Sequence, residues 1–302
     1  MKKILKTVIS LTIILLVIHF LYSSLSKNWS ELDFSNYQIS PFYTVLALIF
    51  LTLFYFFATS NWVYILKILD INLKYIKAFK IKTISDLGRY IPGKAWYILG
   101  RTYFGKKQGI PNSKIIISLI IEHLFLLIIA VALFILLNLK NAIDLNISQT
   151  LLNGLVIIGI ILLIFLPKLL NYMISLGLKI KNKNIPKIEI NIGIKTNILL
   201  ILRYIVFWVI IGLSFIFTIK SIYPQIGLEN IFFFTGIFAI SWSIGLLSFI
   251  TPGGIGIREG IMTTLLIPYM PLTVAIAAPI LFRIYSIIIE IILSLIVLKI
   301  KD

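Results

Sequence analysis

Few side chains in this sequence could do chemistry, and nearly all of them are charges set among apolar residues. Arg89, Lys94 and Arg101 punctuate the stretch DLGRYIPGKAWYILGRTYF at 86–104, and Arg258 and Glu259 follow a second proline-glycine break, TPGGIGIREG at 251–260. Glu122, His123, Arg203, Arg283 and Glu290 lie inside long apolar runs. A charge in hydrocarbon must find a partner, water or a substrate, so each of these is a candidate for function. Pro92-Gly93 and Pro252-Gly253-Gly254 leave backbone amides free, and a helix starting there aims its positive dipole end and several N–H groups into the break. With Arg89, Lys94, Arg101 and Arg258 alongside, the predicted chemistry is capture of an anion, and convergence of Arg89, Arg101 and Arg258 would suit the oxygens of a phosphate.

A plainer reading stays open beside it. The breaks could be ordinary loops whose cations snorkel to an interface. Adjacent on a helix, Arg258 and Glu259 point about 100° apart, so each needs a separate partner, and Glu122 and Arg283 are the expected ones. Arg283 and Glu290 are seven residues apart, on one face but two turns distant, which favours partners on neighbouring helices. Glu122, Glu259, Arg283 and Glu290 would then form an intramembrane ion network that holds helices together. His123 reads as a hydrogen-bonded packing residue. With two histidines (His19 and His123), no cysteine and no clustered carboxylates, no metal site is expected. No Walker loop, Rossmann glycine set or nucleophile elbow is present, so no cofactor and no catalytic residue is assigned; a transferase would have only Glu122 or Glu259 as a general base.

The elements that must position these charges are membrane helices. The chain has 302 residues, 60% hydrophobic and 13% charged, with a mean hydropathy of +1.05. Runs of about 20 apolar residues, enough to cross a hydrocarbon core, recur along its whole length. They predict one membrane-embedded domain over 1–302, all-α and polytopic, with about eight transmembrane helices. The spans are expected near 4–25, 41–66, 114–139, 151–170, 196–219, 231–250, 255–267 and 272–298. The net charge of +17 sits on lysines in short loops rather than on one soluble face, which argues for topology and against nucleic acid. Of 28 Lys and Arg, only Lys27, Lys140 and Lys220 fall on the second side and Arg203, Arg258 and Arg283 within spans. The positive-inside rule therefore places both termini in the cytoplasm of a multi-pass cell-membrane protein.

The 86–104 element has apolar pieces too short to span and lysines on both flanks, so it reads as a re-entrant hairpin, and such backbone survives at depth only against protein or a wet cavity. The 251–260 element reads as a broken helix, followed by a short helix to 267 that must cross or nearly cross the membrane if both termini lie inside; a re-entrant course, with the C-terminus outside, is the open alternative. The order helix, helix, Pro-Gly break, helix occurs early and again late, as in folds built from two halves. The charge count puts both breaks nearer the lysine-rich side, which does not favour a simple inverted repeat.

LGRYIPGKAWYILGR, the pair Ser118 and Glu122, and SFITPGGIGIREG together resemble the lysylphosphatidylglycerol synthase transmembrane family, which includes the flippase half of the multiple peptide resistance factor. The resemblance covers most of the chain. It implies a polytopic helical fold with re-entrant elements, a role in moving lipids or lipid-linked molecules between leaflets, and motif positions at Gly88, Arg89, Pro92, Gly93, Arg101, Glu122, Pro252, Gly253, Gly254, Arg258, Glu259 and Gly260. Synthase activity is not implied, because in that factor aminoacyl transfer is assigned to a soluble acyltransferase-like domain with no counterpart here.

The leading expectation is a flippase-like translocase for an anionic phospholipid or a polyprenyl-phosphate-linked intermediate. Its headgroup would be bound by Arg89, Pro92, Gly93, Lys94, Arg101, Pro252, Gly253, Gly254 and Arg258. The alternative is a non-catalytic membrane subunit whose basic loops at Lys67 to Lys82 and Lys179 to Lys187 anchor a cytoplasmic synthase or glycosyltransferase.

Overall fold

The computed structural model describes residues 39–90, 96–142, 192–248, 254 and 256–300, with most positions of 150–172. The expected first span and the basic loop at 179–187 lie outside the described residues. So do Pro92, Gly93, Lys94, Pro252 and Gly253. Every regular element among the described residues is helical. In chain order these are α1 (Pro41–Ile68), α2 (Tyr75–Asp86) with a 3-10 turn Leu87–Tyr90, α3 (Trp96–Lys107), α4 (Asn112–Ala142), α5 (Ile194–Ile222), α6 (Ile231–Leu247), α7 (Ile257–Leu266) and α8 (Leu272–Lys299). Helical backbone also recurs between positions 150 and 172.

Five of these are long and apolar enough to cross a membrane: Pro41–Ile68, Asn112–Leu137, Ile194–Ile222, Leu228–Leu247 and Leu272–Lys299. Their composition inverts the pattern of a soluble bundle. The exposed stripe of α1 is Phe42, Val45, Ile49, Leu53 and Phe56, at the three-and-four spacing of one helix face, while Thr59 and Asn61 are buried. An apolar outer face with polar groups inside is what a hydrocarbon solvent selects. The protein is a multi-pass helical membrane protein.

Contacts along α8 fix how the shorter helices run. The Lys80 ammonium donates to the Ile300 carbonyl, and Arg89 pairs with Glu290, so α2 climbs α8 from its lysine-rich end toward its middle. Glu259 meets Arg283 and Thr263 meets Ala275, so α7 descends the remaining half of α8 toward its start. α7 also retraces α6. Gly245, near the end of α6, lies against Arg258, and Phe233, near its start, meets Tyr269 with ring centroids 4.4 Å apart. The two breaks therefore belong to two hairpins, α2–α3 and α6–α7, that approach the middle of α8 from opposite ends.

The short helix, ten residues and about 15 Å long, is half the length of a ~30 Å core and returns toward the end from which α6 came, the re-entrant course of the two left open. One expectation is corrected. The breaks do not both open from the lysine-rich side. Charge counting misplaced the second because it carries no flanking lysines to mark its base; its polarity is set by packing against α6 and α8.

The hairpins are held where backbone meets backbone. A Cβ on Gly88 would lie 2.7 Å from the Trp96 carbonyl carbon and the Tyr97 nitrogen, closing α2 onto α3. Gly254 has φ +70° and would place a Cβ 2.6 Å from the Gly245 carbonyl oxygen, closing α7 onto α6. A satellite cluster of Trp62, Leu66, Ala78, Ile81, Ile110, Ile115 and Leu119 packs the first hairpin against α1 and α4. Pro279 inside α8 removes the donor for the Ala275 carbonyl, and the Thr263 hydroxyl of α7 supplies one at 3.2 Å.

Candidate functional site

The tips of the two hairpins border one cavity of about 150 Å3, walled by α1, α4, α5, α6 and α8. The first hairpin contributes Lys82, Asp86, Arg89, Tyr90, Tyr97 and Arg101. The second contributes Gly245, Leu246 and Arg258, and α4 and α8 add Glu122, His123, Arg283, Ser286 and Glu290. The aromatic wall is Phe54, Tyr55, Phe207, Trp208, Phe238, Trp242 and Phe282.

At the first break cations and carboxylates interlock. Arg101, 2% exposed, pairs with Glu122 and, at 3.3 Å, with Asp86, while its guanidinium lies 4.9 Å from the centre of the Trp62 ring. Trp62 is itself held by a 3.0 Å bond from Nε1 to the Ser118 hydroxyl. Lys82 reaches Asp86 at 3.1 Å and Glu122 at 3.3 Å. Arg89 spans from Asp86, 3.1 Å away, to Glu290 at 3.3 Å, and Glu290 also accepts from the hydroxyls of Tyr55 (2.6 Å) and Tyr90 (2.7 Å). Each carboxylate here is satisfied by charged or hydroxyl donors, which is what allows it to stay buried.

The second break is sparser. Glu259 accepts from the Gly256 backbone N–H at 2.7 Å, capping α7, and its other oxygen lies 3.4 Å from Arg283 and 3.9 Å from Arg258. The Arg258 guanidinium is stacked near Phe238 (5.2 Å) and Phe282 (5.9 Å), and that of Arg283 near Tyr90 (5.4 Å). The Tyr90 contact joins the two breaks.

The sequence-predicted residues thus mostly meet. Arg89, Arg101, Glu122, Arg258, Arg283 and Glu290 line the cavity, Glu259 stands behind Arg283, and Gly254 closes the second hairpin. Glu259 pairs with Arg283 as expected. Glu122 does not serve Arg258; it is taken by Arg101 and Lys82. Arg89, Arg101 and Arg258 border the same cavity, but Arg89 and Arg101 are each spent on two carboxylates while Arg258 is not, so the three are not equally available to one anion. His123 packs as expected, with Nδ1 2.8 Å from the Leu119 carbonyl, although it also borders the cavity beside Tyr97. Arg203 lies elsewhere, bonded to Asn61 and Ser60 between the rings of Phe57 and Tyr64.

Sequence reasoning missed Lys82 and Asp86. In the sequence Lys82 stands among loop lysines, yet it is 7% exposed. The available signal was the i,i+4 spacing of Lys82 and Asp86, which puts opposite charges on one helical face just before the first break.

The lysylphosphatidylglycerol synthase transmembrane-region family matches residues 4–294, nearly the whole chain, including both broken hairpins and the helix between their tips. The chain belongs to this family. No individual curated protein matches it. Family membership relates the protein to lipid modification or lipid flipping in a membrane, and of the described motif positions Gly88, Arg89, Arg101, Glu122, Gly254, Arg258 and Glu259 fall on the cavity or on contacts that close its hairpins, whereas Gly260 is exposed with open space around it.

Proposed function

We propose that this protein is a flippase-like translocase that carries the headgroup of an anionic lipid past the middle of the membrane while the acyl chains stay in hydrocarbon. One observation carries the reading: two broken hairpins reach the middle of one long helix from opposite ends and border a shared charged cavity. Non-helical backbone at depth is tolerated where it faces protein or a wet cavity, and discontinuous helices from two sides are the elements that alternating access moves. Arg89 and Tyr90 of the first hairpin grip Glu290, and Arg283, one turn-pair away on α8, is held by Glu259 of the second. Release of one grip while the other holds would open the cavity to one side at a time. The transferase reading gains no support, since Glu122 is ion-paired by two cations and Glu259 caps α7.

The lysine-rich end carrying Lys67, Lys74, Lys80, Lys106 and Lys299 is assigned to the cytoplasm by the positive-inside rule. The test is reconstitution of the chain alone into vesicles that hold a fluorescent anionic phospholipid, with a membrane-impermeant quencher reporting the outer leaflet. Lipid should cross faster than in protein-free vesicles. Equal rates would overturn the translocase reading.

A further inference from the structure

The charges around the cavity are unevenly matched. At the first break three cations, Lys82, Arg89 and Arg101, face three carboxylates, Asp86, Glu122 and Glu290. At the second, Arg258 and Arg283 share, among the described residues, the one carboxylate of Glu259. Among the described residues the excess is one positive charge, and it falls on Arg258, whose nearest carboxylate oxygen is 3.9 Å away.

The hydrogen-bond account points the same way. Five buried polar atoms on cavity-lining residues have no partner among the described residues: Nε of Arg101, Nε1 of Trp208, Nε of Arg258, and Nε and Nη2 of Arg283. All five are donors. An unmatched buried donor costs free energy until an acceptor arrives, and a set with no acceptors in it calls for an oxyanion rather than a neutral or cationic group. Three of the five belong to Arg258 and Arg283, which is 5% exposed, and Trp208 stands on the same wall as Phe238.

We infer that Arg258 and Arg283 form a site for one lipid phosphodiester, its single negative charge matching the single excess cation, with Phe238 and Phe282 flanking the guanidinium of Arg258. Arg89 and Arg101 supply no charge to the phosphate, because each is neutralised by carboxylates in the ion lock of the first hairpin; of the two, Arg101 keeps a single unused donor, its Nε. This deepens the translocase reading and rests on it only for the phosphate being attached to a lipid. A phosphomonoester or diphosphate, with a further charge, exceeds what the described residues balance. A zwitterionic headgroup brings a cation for which the first break has no free carboxylate.

The experiment uses the full chain purified in mild detergent, with thermal unfolding and native mass spectrometry read against four probes: phosphatidylglycerol, phosphatidic acid, phosphatidylcholine and inorganic phosphate. Phosphatidylglycerol should be retained at least tenfold better than phosphatidylcholine, and inorganic phosphate should not raise the unfolding temperature. Arg258→Gln should lose phosphatidylglycerol at least tenfold, with Arg258→Lys between it and the parent. Glu259→Gln supplies an independent arm: glutamine still accepts from the Gly256 N–H, but the excess rises to two charges, so preference should move several-fold toward phosphatidic acid. Equal retention of phosphatidylglycerol and phosphatidylcholine, or Arg258→Gln that binds as the parent does, would overturn the site. So would stabilisation by inorganic phosphate equal to that by phosphatidylglycerol, which would mark a free-anion site. Selective binding without lipid crossing in vesicles removes the translocase reading and leaves this site; crossing without selectivity does the reverse.

Discussion

The two broken hairpins are built alike and charged differently. Each folds back at a break, each is closed by a glycine pressed on backbone, and each touches the middle of α8. Yet the first fills its tip with three cations and three carboxylates in mutual contact, while the second leaves Arg258 on aromatic rings beside one distant carboxylate. A buried ion network in which every charge is paired is rigid and costly to disturb. A buried arginine with unused donors is poised for a ligand. Similar local architecture thus divides into a lock and a receptor, and the division lies in pairing, not in the presence of arginine.

The largest effect that would break this comparison is all-or-none. If the hairpins enter from opposite faces, their bases lie on opposite sides of the membrane, and a chain without native cysteine makes that easy to read. Lys106, at the base of the first hairpin in the last turn of α3, and Gln225, before the second, are both exposed sites for a single cysteine, Lys106→Cys or Gln225→Cys. In intact cells an impermeant thiol reagent should label Gln225→Cys and leave Lys106→Cys unlabelled until the membrane is permeabilised. Labelling of both from one side would end the two-sided description.

Next in size is the lock. Arg101→Met leaves three buried carboxylates to two cations at the first break, an uncompensated charge that should cost about 3–5 kcal/mol, seen as a large fall in unfolding temperature in detergent. The folded fraction that survives should hold phosphatidylglycerol normally. If it is stable and has lost the lipid, Arg101 is a ligand residue and the contrast between the hairpins disappears.

The closing glycines should respond similarly in both hairpins. Gly254→Ala meets the Gly245 carbonyl and a φ of +70°, and should destabilise by more than about 1 kcal/mol. Gly88→Ala, which meets the backbone at Trp96 and Tyr97, should do the same. A neutral result at either position, measured by thermal unfolding, would mean that the hairpin is not closed by that contact.

The smallest effect sharpens the second hairpin alone. Thr263→Val removes the donor to the Ala275 carbonyl that Pro279 leaves open, and should cost about 0.5–1.5 kcal/mol. Pro279→Ala in the same background restores an intrahelical donor, so the double variant should recover most of the loss.

Much of this molecule was legible in the sequence because hydropathy and chain breaks are local quantities. Long apolar runs determined a helical membrane protein, two proline-glycine motifs determined where helices had to stop, and charges within apolar surroundings marked Arg89, Arg101, Glu122, Arg258, Glu259, Arg283 and Glu290 for the interior. Which of those charges is spent and which is free is not local. Lys82 and Glu122 are 40 residues apart and Tyr55 and Glu290 are 235 apart, so their pairing exists only after the helices pack. The direction of the second hairpin followed the same rule: its ten-residue helix is too short to declare a side by composition, and its course was decided by Phe233 meeting Tyr269 and by Arg283 meeting Glu259. A sum over neighbours in sequence tells where a charge must be buried, whereas Coulomb pairing depends on separation in space, and only the tertiary structure sets that.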